Sequence, residues 1–220
     1  MLECTQLIGF GVGGSAEEPP SITYIGNVKD DTAQTTYTFT DASIGGPGLI
    51  VVGVHCDAGS ARTISGTPTI GGVSATVHCN TSAANVFAII SARITSGTTA
   101  TISITMSSSC NNMRVGIWRI QNNASDTPVQ SDAGTASTSN PKTTTIAVLT
   151  GDCIVAVADN TLSTATFTWT PPMTENYDDN SQSGHGSSGA SHTAVSDNAS
   201  FTVEVSSSSN TNGMSVASWR

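Results

Sequence analysis

TISITMSSSCNNMRVGIWR, residues 101–119, lies without a gap over TVEVSSSSNTNGMSVASWR, residues 202–220. Ile102 and Ile104 fall on Val203 and Val205, and Met113, Val115, Trp118 and Arg119 fall on Met214, Val216, Trp219 and Arg220. In the first copy Ile102, Ile104 and Met106 alternate with Thr101, Ser103 and Thr105, the period of a strand that buries one face and wets the other. A strand pattern that recurs at a fixed offset predicts a duplicated β unit.

Working outward, GLIVVGVH from Gly48 is set against GDCIVAVA from Gly151, TTYTFT from Thr35 against TTTIAV from Thr143, and FAIISA from Phe87 against SHTAVS from Ser191. The run Leu49 to Cys56 is apolar almost throughout, as in a central strand covered on both faces. Short β-branched and aromatic runs at 22–26, 35–40, 49–55, 67–78, 86–94, 99–106 and 113–120 are separated by Gly, Asn, Asp and Pro, the punctuation of sandwiches. The predicted fold is all-β: two tandem, internally duplicated antiparallel β-sandwich units, jelly-roll or immunoglobulin-like, preceded by an N-terminal arm. The arm spans residues 1–20, the first unit 21–121 and the second 122–220, with the break in the polar QNNASDT. Between Pro171 and Ala194 the polar, glycine-rich PPMTENYDDNSQSGHGSSGAS reads as a long loop holding His185 and His192 as solvated side chains.

Composition narrows the function. Charged residues are only 10% of the 220, and the net charge is -9, from 7 Lys and Arg against 16 Asp and Glu. Such a surface repels nucleic acid and anionic membranes, and no apolar stretch reaches the roughly 20 residues that cross a bilayer. The opening lacks a basic segment and carries Glu3 early, so no secretory signal is expected. Its apolar residues Leu7, Ile8, Phe10 and Val12, interleaved with Gly9 and Gly11, call for a surface to pack on, within the chain or on a partner.

No constellation predicts catalysis. There is no G-x-S-x-G elbow, and the acids lie mostly at strand ends and loops, so no catalytic residue is assigned. His55-Cys56 and His78-Cys79 together offer four zinc-ligand types, but neighbours on a strand point to opposite faces, and no metal or other cofactor is expected. The five cysteines do not read as a disulfide framework; Cys153 reads as a buried small hydrophobe, and a Cys56–Cys79 bridge is one conceivable pairing. Trp118 and Trp219 hold equivalent positions and read as packing residues. Trp169, Tyr177, Asp178 and Asp179 are the candidate surface contacts.

TQLIGFGVGG, SITYIG, the Y-T-F-T strand, LIVVGVH, TIGGVSATV, GIWR, FTWTPPMTENY and the terminal VASWR together resemble small structural proteins of tailed bacteriophages and prophages. The resemblance implies a virion structural protein: a capsid decoration, or a head or tail appendage, assembled in the host cytoplasm. It implies that Leu7, Ile8, Gly9, Phe10, Gly11 and Val12 anchor the chain to other virion proteins of the capsid or tail. A homo-oligomer is expected. The alternative is a carbohydrate-binding or adhesion module whose second-half loop meets host-surface glycan.

Overall fold

The computed structural model describes residues 18–133, 140–160, 164–182, 185–208 and 213–220. The arm residues Leu7 to Val12 lie outside them. Every regular element described is a strand, all ladders are antiparallel, and no helix is long and apolar enough to cross a membrane among the described residues.

The first unit is two sheets. One has the order β1-β9-β3-β7-β6, built from β1 (Ser21–Asp30), β3 (Gly48–Arg62), β6 (Thr76–Asn80), β7 (Ala83–Ile94) and β9 (Asn112–Gln121). The other has the order β2-β8-β4-β5, from β2 (Gln34–Ser43), β4 (Thr69–Ile70), β5 (Val73–Ser74) and β8 (Thr99–Cys110). β8 alternates buried Ile102, Ile104 and Met106 with outward Thr and Ser, as its sequence predicts. The predicted strand 67–78 is three: Gly71 and Gly72 hold φ of +60° and +78°, turn β4 back on β5, and leave β6 to join the opposite sheet.

The second unit repeats the plan. Its larger sheet, β10-β17-β12-β15-β14, uses β10 (Gln130–Ala133), β12 (Cys153–Asn160), β14 (Thr174–Gln182), β15 (His185–Thr193) and β17 (Gly213–Trp219). Its smaller sheet, β11-β16-β13, uses β11 (Lys142–Val148), β13 (Phe167–Trp169) and β16 (Asn198–Ser207). The predicted loop between Pro171 and Ala194 is therefore a hairpin, β14 and β15. HGSSGASHT looks like loop because it consists of small residues, and they are small because two sheets press on this strand from both sides.

That pressure defines the architecture. Each sandwich has its own core, one around Tyr37, Ile50, Val52, Ile90 and Ile102, the other around Ile154, Phe167, Trp169, Val203 and Val205. A third cluster joins Leu49, Val51, Phe87, Ile89, Trp118 and Ile120 of the first unit to Cys153, Val155, Val157, Tyr177, Ala217 and Trp219 of the second. The two five-stranded sheets stack face to face, giving four layers. β3 from Gly48 to Cys56 and the whole of β12 are buried on both faces for this reason.

The duplication holds in strand order, but three registers differ from the sequence match. Trp118 pairs with Val51 and Trp219 with Cys153, so Val51 corresponds to Cys153 and Val52 to Ile154. The ungapped match sets Val52 on Val155, one residue out, which would turn a core residue to the other face. By the same ladders Tyr37 corresponds to Lys142 and Phe87 to Gly189, so those matches are out by three and by two. A uniformly apolar run carries no alternation to fix its register.

Cys56 is bonded to Cys110 across the two sheets of the first sandwich, with Cα atoms 6.3 Å apart. The Cys56–Cys79 pairing is ruled out by the pleat: Cys56 faces the first core, whereas Cys79 faces the stacked interface, free and buried like Cys153.

A sealed polar cluster between the sandwiches

At one end of the apolar interface, both units contribute buried polar side chains. β3 supplies His55, next to Cys56 but on the opposite face, and β7 supplies Asn85. β9 supplies Arg114. From the second unit come Asp159 near the end of β12, Tyr177 and the half-buried Asp179 on β14, and His185 at the start of β15. His55, Arg114, Asp159 and His185 are all essentially without solvent contact.

Tyr177 Oη lies 2.7 Å from His55 Nε2. Burial, followed by Tyr24 and then the charges of Asp179 and Asp159, holds the Tyr177 phenol well above its ordinary range, so it keeps its proton and donates to Nε2. Burial pushes His55 down to about 3, reinforced by the charges of His185 and Arg114, so at neutral pH it is uncharged, with its proton on Nδ1. That nitrogen is 3.8 Å from Asp159 Oδ2.

Asp159 Oδ2 is also 2.8 Å from His185 Nε2, a contact in which the coulombic attraction is the larger part. Asn85 Nδ2 donates to Asp159 Oδ1 at 3.1 Å. Burial alone would lower His185, but the Asp159 carboxylate outweighs it and raises the imidazole. Burial raises Asp159 in turn, against the pull of His185. Arg114 closes the cluster: Nη1 donates to the carbonyls of Asp179 at 2.9 Å and His185 at 3.3 Å, and Nε lies 3.7 Å from Asp179 Oδ2.

A Tyr–His–Asp–His series has the composition of a proton relay, but all four side chains are buried. No group of three or more His, Cys, Asp or Glu is arranged to hold a metal ion among the described residues. What the arrangement does is couple the sandwiches: every polar contact named above except that of Asp159 with His185 crosses from one unit to the other.

The sequence-predicted contacts fall differently. Trp169 is buried in the second core and donates Nε1–H to Ser188 Oγ at 2.8 Å. Tyr177 is buried against Trp118 and Tyr24. Neither ring faces solvent, which corrects their reading as surface contacts; the segment carrying them is sheet rather than loop. Asp178 and Asp179 are half-buried, Asp178 accepting from the Phe167 amide at 3.0 Å. His185 is likewise buried, while His192 stacks on Phe201 and is half-buried. The cluster itself went unforeseen, because its members lie far apart in the chain and meet only when the sheets stack. An available signal was Asp159, an acid directly after the apolar run Cys153 to Ala158.

The fold and cluster together define a two-sandwich all-β protein with a buried polar cluster at the seam. No protein-family model and no curated protein matches the chain.

Proposed function

We propose that this chain is a non-enzymatic structural component of a tailed-phage virion, decorating the capsid or forming a head or tail appendage, and held there by its N-terminal arm. The observation that carries the reading is the sealing of the Tyr177–His55–Asp159–His185 series: the most reactive-looking side chains serve cohesion, and the body offers rigidity and a charge-poor surface. The resemblance of TQLIGFGVGG, LIVVGVH and VASWR to such structural proteins supports it further. Copies assemble as a homo-oligomer on other virion proteins. Deleting residues 1–14 is expected to leave a folded protein that no longer joins particles. Incorporation at the undeleted level overturns the reading.

A further inference from the structure

Among the described residues four large aliphatic side chains are exposed, Val73, Val129, Leu149 and Val195, the last at 82%. Scattered singly, such residues mean little. Three of these four line one continuous track. The described chain starts at Glu18, Pro19 and Pro20, which sit in a hollow with Asn122, Ala124 and Arg220. Arg220 also borders the next hollow, a groove of about 290 Å³ lined by Val129, Ala147, Leu149 and Ala199. Asn198 borders that groove and a further one of about 360 Å³, which holds Val195 and Phe201.

The groove follows from the fold. Val129 leads into β10, the edge of the larger sheet, and Leu149 directly follows β11, the edge of the smaller one, so it is the open side of the second sandwich. Its rim is fixed: Arg220 pairs through Nε and Nη2 with both Asp152 oxygens, at 2.9 and 3.1 Å, and Asp152 Oδ2 accepts from the Leu149 amide at 2.9 Å.

We propose that in the unassembled protein this groove receives the chain's own arm, through Leu7, Ile8, Phe10 and Val12. The occupant follows from where the described chain starts and what precedes it. Pro20 lies beside Gly151, two residues from Leu149. Val12 lies six positions before Glu18, an extended reach of about 20 Å, so the apolar stretch starts within range of the groove. The arm's sequence carries Leu7, Ile8, Phe10 and Val12, and the groove is apolar surface beside its root. The inference does not depend on the virion reading.

The test places a photo-crosslinking phenylalanine analogue at Phe10 of the full-length chain, irradiates at low micromolar concentration and maps the products by mass spectrometry. The expected product is an intramolecular link to 129–130, 147–149 or 195–201. Links only between two chains, which would make the occupant a neighbour's arm, or links elsewhere on the body, overturn the proposal. As a second measurement, Leu149→Asp, an exposed position, is expected to leave circular dichroism unchanged, abolish the link and speed amide exchange of residues 7–12 at least tenfold. Unchanged exchange overturns it too.

Discussion

Gly53 and Val157 meet at the centre of the stacked sheets, and the valine Cγ1 occupies the space a Cβ on Gly53 would need. The same relation recurs nearby: the Phe87 ring covers Gly213, and the Tyr177 ring covers Gly116. In each case a large side chain of one sandwich sits on a glycine of the other.

Gly53→Ala should therefore cost about 1–3 kcal/mol of stability, the usual penalty of overpacking. Val157→Ala alone should also destabilise, by roughly 1–3 kcal/mol, by leaving a gap. Combined, the two should cost less than their sum by at least 0.5 kcal/mol, within the usual range of coupling between contacting residues. Urea midpoints of the four proteins check this; strict additivity would mean that the pair does not touch.

The polar cluster gives stability a pH optimum near the ordinary imidazole value. His55 is lowered by burial to about 3 in the folded protein, so its contribution is present above about pH 6.5 and is lost as pH falls toward 3, at up to about 1.4 kcal/mol per pH unit. His185 is raised, so its contribution is present below about 6.5 and is lost as pH rises through its folded value. Asp159, also raised, works against the His55 loss once it takes up a proton and so limits the acid window from below. Denaturant midpoints from pH 5 to 9 should peak between 6 and 7, and His55→Gln should flatten the acid side only.

The Cys56–Cys110 bond spans 54 positions in the chain. A loop of that size restricts the unfolded chain enough to stabilise the fold by about 4 kcal/mol on the loop-entropy relation. Reduction, or the double change Cys56→Ser and Cys110→Ser, should lower the unfolding free energy by that amount, read from denaturant titrations. Cys79→Ala and Cys153→Ala should not alter the response to reductant.

Trp169→Ala should act as a core truncation, costing about 3–5 kcal/mol and removing the hydrogen bond to Ser188. Trp169→Phe should recover most of the loss. Thermal unfolding of the two variants distinguishes this from a solvent-facing ring, whose removal would leave stability within about 0.5 kcal/mol.

The class of fold was legible because hydrophobic alternation is a local property. Ile102, Ile104 and Met106 announce a half-buried strand, and the unbroken Leu49 run announces a strand covered twice. What covers it was not legible. Gly186, Ser187, Ser188, Gly189 and Ala190 have the composition of a loop, and only the closeness of a second sheet explains why a strand would be made of them. The cysteine partner was hidden for a related reason: Cys110 ends a strand in the facing sheet, and sequence spacing does not reveal which strands face one another. His55, Asp159 and His185 are brought together by β3, β12 and β15, a convergence that a linear reading of any one strand cannot supply.

Burying both faces of each five-stranded sheet removes a freedom that most tandem-domain chains keep. The stretch from Asn122 to Val129 has no hinge to serve, since the side chains lodged over Gly53, Gly116 and Gly213 bar one half from sliding on the other. A protease cut there would turn one polypeptide into two and still leave a single particle, held by the same seam and melting as one.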